Sequence, residues 1–349
     1  MVESRINNPS VPDSEGLEDE LLIQPLHSVF SGIKASDIAV GVSGGADSAM
    51  LLVGAARIAA RWHKTIHAIH VHHGLLHEAD AWAVHTAKLA RRLGVAFHYL
   101  PVQVAADTGK GTEAAARQAR YSAYLSWSRY HDCNHLLLAH HRDDQAETML
   151  LRLLRGAGVQ GMSGMAAQTL RYNLHLYRPW LQIDRRRILE AAARYETRTG
   201  WAPVSDPTNQ DARYTRAAVR TMLTPVLNAR WPQWQGNLLR HARVMSESTL
   251  MLRDLGEMDL RDCELASDGL SFSLVRWRQL PLYRQANMIR QWLRRADIPM
   301  PTEARLNQWL RQLREVHALG YDRNILLKHQ GCHIVCRRGQ VQLLMDPAD

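Results

Sequence analysis

The segment Ser43-Gly44-Gly45-Ala46-Asp47-Ser48 holds the residue types a phosphate-binding loop needs. It follows an apolar run, Ile38 to Val42, and leads into a stretch of helical spacing that begins at Ser48. Two glycines let the backbone approach a phosphate closely. A helix start adds free N–H groups and the positive end of a dipole. Ser43 and Ser48 add hydroxyl donors. Asp47 is out of place in a pure anion site, and makes sense if it helps to hold Mg²⁺ beside the phosphates. No Gly-Lys-Ser/Thr follows, and the spacing is not G-x-G-x-x-G, so neither common nucleotide fingerprint applies. The competing reading is an ordinary turn capped by Ser or Asp.

A second cluster, Ala139-His140-His141-Arg142-Asp143-Asp144-Gln145-Ala146-Glu147-Thr148, closes a strand-like run and opens a helix. Carboxylates favour a helix start, which accounts for one of Asp143, Asp144 and Glu147. Packing two histidines beside two aspartates points further, to a carboxylate for Mg²⁺ or acid–base work and a histidine near a reacting group. His70, His72 and His73 end another strand-like run; with no third ligand at matched spacing, a structural or nucleotide-lining role is expected over zinc. Glu113, Arg117, Arg120 and Tyr121 share a helical face, either as a solvated ion-paired face or as a substrate contact.

The elements that must position these groups alternate. Strand-like runs at 37–43, 66–73, 95–102 and 135–141 are separated by helical stretches, with Gly94 and Gly156 placed as helix stops. Such alternation predicts an α/β, doubly wound parallel sheet, whose ligands gather at the carboxyl ends of the strands, where both clusters fall. Beyond Trp201 the pattern changes. A polar, turn-prone stretch precedes a helix from Ala217 to Leu227 that Pro225 should kink or end, long helices at 234–255 and 282–316, and two or three short terminal strands. The expected division is a mobile tail over 1–24, an α/β domain over 25–220, and a second, mostly helical domain with a small sheet over 221–349.

Composition bounds the partners. The 349 residues carry a net charge of +9, mostly through arginine, which permits a polyanionic partner. No run of the roughly 18 apolar residues that a membrane helix needs is present, and the polar, acidic start is no secretory signal. A cytoplasmic location with no membrane partner is expected. The four cysteines form no C-x-x-C pair; Cys332 and Cys336 read as small strand residues rather than half a metal site.

Taken together, SGGADS, IHVHHGL, EAAARQARY, AHHRDDQAETMLLRLLRGAG, RPW at Arg178, and SDPTNQD followed by Arg216 resemble, in order and spacing, the tRNA(Ile)-lysidine synthetase family of the PP-loop ATP pyrophosphatase superfamily. The likeness covers roughly 36–232, more weakly the remainder. It implies that ATP adenylates the C2 oxygen of cytidine 34 in a tRNA(Ile) with a CAU anticodon, and that free L-lysine then displaces AMP to form lysidine. ATP is the co-substrate and Mg²⁺ the expected metal. The resemblance implies Ser43, Gly44, Gly45, Ala46, Asp47 and Ser48 as the phosphate loop, Asp47 and Asp144 as Mg²⁺ carboxylates, Asp144 and His140 near the adenylated cytidine, and Arg117 and Arg216 as nucleotide or substrate contacts. The domain at 25–220 is then the ATP pyrophosphatase domain and that at 221–349 the tRNA-binding domain. Ala217 stands where the family usually has asparagine, and long members carry a further C-terminal domain. The oligomeric state stays open, a homodimer included. The nearest alternative is a PP-loop tRNA 2-thiolation enzyme, against which the missing C-x-x-C counts. A small-molecule ligase and a nucleic-acid-binding module with an inactive ATP site are the others.

Overall fold

Strand β1 (Asp37–Gly41) sorts its side chains onto two faces: Ile38 and Val40 enter one apolar cluster, and Ala39 enters another on the opposite face. The computed structural model describes residues 17–74, 78–104, 112–205, 211–213, 215–316 and 325–345. Around β1 it places β2 (Thr65–His72), β3 (Ala96–Pro101), β4 (His135–Leu137), β5 (Gln168–Arg171) and β6 (Leu174–Tyr177), in the order β3-β2-β1-β4-β6-β5. The first five strands in that order pair in parallel, as the alternation predicts. The edge strand β5 is antiparallel to β6. This hairpin escaped the sequence reading because its strands have only four residues each and its turn, Tyr172-Asn173, lacks the Asn-Gly signal.

Helices cover both faces. On one lie α1 (Glu20–Gly32), α2 (Ala46–Ala59), α3 (Ala79–Arg92) and α6 (Arg185–Thr199), whose apolar stripes form the larger cluster. On the other, α4 (Thr112–His131) sets Tyr121, Tyr124 and Trp127 against Ala39, Ile69 and Leu136. Helix α5 (Arg142–Leu154) follows β4.

The expected tail over 1–24 needs correction. Residues 1–16 lie outside the described part, but Leu17, Leu22 and Ile23 are buried, and Asp19 caps α1 by accepting from Leu21 N. The acidic start concealed an amphipathic helix. Its anchor is Trp180, wholly buried, whose Nε1–H donates to Leu22 O at 2.9 Å.

The stretch around Pro225 also differs from a kinked helix. Helix α7 (Thr215–Ala218) passes into a π-helical turn (Val219–Leu223), then α8 (Thr224–Arg230), where Pro225 sits in the first turn and needs no amide partner. The chain divides into two compact units, 1–243 and 244–349, inside α9 (Trp234–Asp262), rather than after residue 220. The physical reason is Arg220, which is ion-paired to α5 and so ties the stretch beyond 220 to the first unit.

In the second unit β7 (Ser271–Ser273), α10 (Leu274–Gln279), α11 (Leu282–Arg295) and α12 (Glu303–Glu315) precede β8 (Ile325–His329), β9 (Cys332–Arg337) and β10 (Gln340–Met345). The sheet is antiparallel, in the order β7-β10-β9-β8. The helix expected over 282–316 is two, broken where Pro299 and Pro301 leave no amides to continue it. Trp277, Trp292, Cys332 and Cys336 are all core residues, so the two cysteines fill the interior of a strand. No helix among the described residues is long and apolar enough to cross a membrane.

Candidate active site

Because β1 and β4 are parallel neighbours, the segments leaving their carboxyl ends lie side by side. The first is the 43–48 loop. Gly44 has φ +94°, a conformation that side chains rarely adopt, and a Cβ there would stand 2.9 Å from Thr86 Oγ1 and 3.3 Å from Val204 Cγ2. Its carbonyl accepts from Val204 N at 2.9 Å, so residues 201–205 brace the loop from outside. Gly45 is the N-cap of α2 and offers no side chain to the first amides, leaving them to an anion. The serines do more than donate to a ligand. Ser48 Oγ accepts from Ser43 N at 3.0 Å, donates to Gly45 O at 3.2 Å, and lies 3.1 Å from Ser43 Oγ, which fixes the loop's curvature.

The second segment opens α5. His141 is its N-cap and forms a reciprocal capping box with Asp144: Asp144 Oδ2 accepts from His141 N at 3.2 Å. The same imidazole joins the two segments. Its Nε2 lies 3.3 Å from Asp144 Oδ2 and 3.7 Å from Asp47 Oδ1. Arg185, at the start of α6, adds an ion-pair contact of 3.5 Å to Asp47 Oδ1. Burial opposes the Asp47 carboxylate, but His141 and Arg185 outweigh it and hold its pKa below the ordinary value. Burial likewise opposes a charged His141, yet the carboxylates of Asp47, Asp144 and Asp143 raise its pKa.

Asp144 is more committed than its sequence position suggests. Its Oδ1 accepts from Arg220 Nη2 at 3.1 Å, and the same guanidinium grips Glu147, with Nη2 2.9 Å from Oε2. Thus one carboxylate of the cluster caps the helix, and another, Glu147, is there for Arg220. Arg220 itself was missed by the sequence reading; its only signal was its place one turn beyond Arg216. Arg185 gave no signal beyond standing in a basic run.

His140 has a different setting. Burial, and then the charges of Arg178, Arg117 and Arg216, carry its pKa down to about 4 against the opposing pull of Asp144. Arg216 Nη2 donates to Thr148 Oγ1 at 3.4 Å, and Arg117 Nη2 to Tyr121 OH at 3.4 Å. Both guanidinium charges act on His140, whereas Asp47 is met by His141 and Arg185, so the predicted residues fall into two groups: a phosphate-loop group around Asp47 and His141, and an arginine-rich group around His140. Arg178 mostly holds structure, its Nη1 donating to Ala166 O at 2.9 Å and Thr169 Oγ1 at 3.0 Å. His70 Nδ1 pairs with Val42 O at 2.9 Å, which favours the structural reading of that histidine. The Glu113 side chain and residues 206–210 lie outside the described part. Ala217 is buried, and its carbonyl accepts from Thr221 Oγ1.

Several buried polar atoms here lack a hydrogen-bond partner: Asp47 Oδ1, Asp143 Oδ1, His140 Nδ1, Arg178 Nε and Arg185 Nε. Buried polar groups are ordinarily satisfied, so their concentration at one sheet end marks a place that a polar ligand completes. The Mg²⁺ expectation fits Asp47 on this ground. Among the described residues no cluster of three His, Cys, Asp or Glu side chains is placed to hold a metal.

Comparison with known proteins carries the same pattern. Residues 19–227 match the PP-loop domain and residues 272–342 the TilS substrate binding domain. The chain is 50% identical over 304 residues to the tRNA(Ile)-lysidine synthase of Bordetella parapertussis, covering 87% of this chain and 88% of that protein. Against that of Bordetella bronchiseptica it is 51% identical with the same coverage. Against that of Burkholderia mallei it is 36% identical over 338 residues, 95% of this chain and 66% of that protein.

Proposed function

Since this chain belongs to the tRNA(Ile)-lysidine synthetase family, we propose that the two residue groups at the carboxyl end of its sheet divide the lysidine reaction between them. The enzyme is an ATP-dependent ligase that joins free lysine to C2 of cytidine 34 in the CAU anticodon of tRNA(Ile), through an adenylated tRNA, and so changes the codon read from Met to Ile. Its substrates meet in the cytoplasm.

In the first half-reaction the C2 oxygen of cytidine bonds to the α-phosphorus of ATP, the α–β bridge breaks and pyrophosphate leaves. The uncapped amides at the start of α2 and the 43–48 loop hold the phosphates. When bound, Mg²⁺ offsets charge on the departing pyrophosphate, with Asp47 its principal carboxylate. His141 sets the distance between Asp47 and Asp144 and, with Arg185, keeps Asp47 ionised.

In the second, the lysine ε-amine bonds to C2 and AMP leaves. The amine must shed a proton. His140 is half-buried and has an orphaned Nδ1, which places an open ring nitrogen where it can accept that proton. Burial is the larger cause of the low His140 pKa, and a phosphate bound near Arg117, Arg178 and Arg216 offsets only the share those charges contribute. Asp144, with both oxygens already engaged, orients rather than reacts. The second unit grips tRNA through arginine–phosphate contacts.

The observation that carries this reading is the juxtaposition of the Gly44–Asp47 loop with His141 and Asp144 across two neighbouring strands. The test incubates the protein with ATP, Mg²⁺, labelled lysine and a tRNA(Ile) transcript bearing CAU, with a CAU-bearing tRNA(Met) as control. Label in tRNA(Ile) alone is expected. Pyrophosphate release without lysine incorporation, on another tRNA or a small molecule, overturns the lysidine reading and keeps the ATP chemistry.

A further inference from the structure

Beside Arg117, a cleft of about 380 Å³ opens between α4 and the β5–β6 hairpin. Its lining includes Arg117, Gln118, Tyr121, Ser122, Arg171 and Tyr172, and none of its described lining residues is a carboxylate. Cations and rings alternate through it. Arg117 and Arg171 each set their guanidinium carbon 5.1 Å from the centre of the Tyr121 ring, and Arg171 stands 5.5 Å from that of Tyr172.

The hairpin tip presents this last ring in an unusual way. Arg171 pairs directly with Leu174, so the turn has only two residues, Tyr172 and Asn173, with φ 48° and 67°. A two-residue turn with both φ positive prefers Asn-Gly. A bulky tyrosine at its first position is uncommon and carries a conformational cost. Its side chain gains little burial in return, being 65% exposed. The fold would be served better by asparagine, so the ring is there for something it meets from outside.

We propose that this cleft takes the unstacked nucleobase flanking cytidine 34, with the base stacked on Tyr172 and the Arg171 guanidinium; the proposal rests on the lysidine reading above. Aromatic and guanidinium faces are the surfaces on which bases of single-stranded RNA loops stack, and a cationic lining suits the adjoining phosphates. Free lysine is a poorer occupant, because two arginines repel its ammonium and no carboxylate receives it. The location follows from Arg117, which lines the cleft and also acts on His140, so a nucleotide joined to the reacting cytidine lies within reach.

The test replaces Tyr172 in the full chain. Tyr172→Asn removes the ring and suits the turn, so it leaves folding intact, whereas Tyr172→Phe keeps the stacking face. Steady-state lysine incorporation should show KM for tRNA(Ile) raised roughly tenfold in Tyr172→Asn, the effect of one lost stack, and restored in Tyr172→Phe, with KM for ATP and lysine unchanged. Transcripts abasic at position 33 or 35 supply the second arm. One of them should raise the wild-type KM by a similar factor and add nothing in Tyr172→Asn. An unchanged tRNA KM in Tyr172→Asn, a shift in the ATP or lysine KM instead, or equal abasic penalties in both proteins overturns the cleft assignment. Failure of the wild-type protein to incorporate lysine overturns the parent reading, and is distinguishable because it does not depend on Tyr172.

Discussion

Replacing Arg220 by methionine isolates the ion-pair network that anchors the π-helical turn to α5. The side chains involved are unequally buried: Glu147 is 6% exposed, Asp144 13% and Arg220 26%. Removing the cation strands a buried carboxylate. Breaking a buried pair costs about 3–5 kcal/mol, and the partial exposure of Arg220 argues for the lower end, roughly 3 kcal/mol. For a unit of this size that lowers the melting temperature by roughly 6–12 °C. The deficit should depend on pH in a definite direction. Burial already raises the Glu147 pKa, with Arg220 opposing, and loss of Arg220 raises it further. A raised folded pKa means that the native state holds the proton more tightly than the unfolded chain. Stability therefore falls as pH rises above the ordinary 4.5 through the folded pKa. Calorimetry of Arg220→Met at pH 5 and pH 8 should show the larger deficit at pH 8. Adding Glu147→Gln should recover most of the loss, since it removes the stranded charge. A pH-independent deficit, or one below about 1 kcal/mol, refutes the reasoning.

Asp47→Asn should lower pyrophosphate release by roughly a hundredfold or more while tRNA affinity, read by filter binding, stays unchanged; normal turnover removes Asp47 from the mechanism. Gly44→Ala, which forces an L side chain to φ +94° and against Thr86, should raise the KM for ATP and leave that for lysine alone. At the opposite end of the sheet, burial first, then the charges of His67 and His131, bring the His98 pKa to about 4, while His67 bridges His98 (3.1 Å) and Asp37 (2.9 Å). From pH 6.5 down to about 4 the unfolded chain binds more protons there, so urea midpoints should fall with pH, and less so in His98→Phe. Binding of tRNA should weaken linearly in the logarithm of salt concentration; a flat profile counts against arginine–phosphate contacts.

What the sequence made legible followed from strong local rules. Ile38 and Val40 alternate with Ala39, Gly44 stands where the chain must turn at positive φ, and Asp144 lies in the first turn of the helix that follows a strand, so the sheet and both loops are legible in the sequence. Other features depend on tertiary partners that no local rule names. Leu22 and Ile23 read as part of a polar tail until Trp180, far along the chain, gives them a surface. Arg220 looks like any basic residue of a helix until the π-helical turn brings it onto Glu147. The β5–β6 hairpin hides because its turn is Tyr-Asn rather than Asn-Gly, and the departure from turn preference that concealed it is also the observation that gives Tyr172 a role.

The two adjacent histidines show why the site needs both clusters. His140 and His141 share a strand end and a sequence context, yet their environments pull them apart: carboxylates raise the pKa of one, while burial and arginines depress that of the other to about 4. The division arises from position: His141 is the N-cap of α5, locked to Asp144 by the capping box, and His140 precedes it in the segment leaving β4. His141 meets the phosphate loop through Asp47; His140 feels the charges of Arg178, Arg117 and Arg216. A reaction in two halves, transfer to phosphorus and then displacement at carbon, asks for a cation-holding centre and a proton-accepting centre a few ångströms apart. Pairs of titratable groups driven in opposite directions are how a single site meets both demands at one pH.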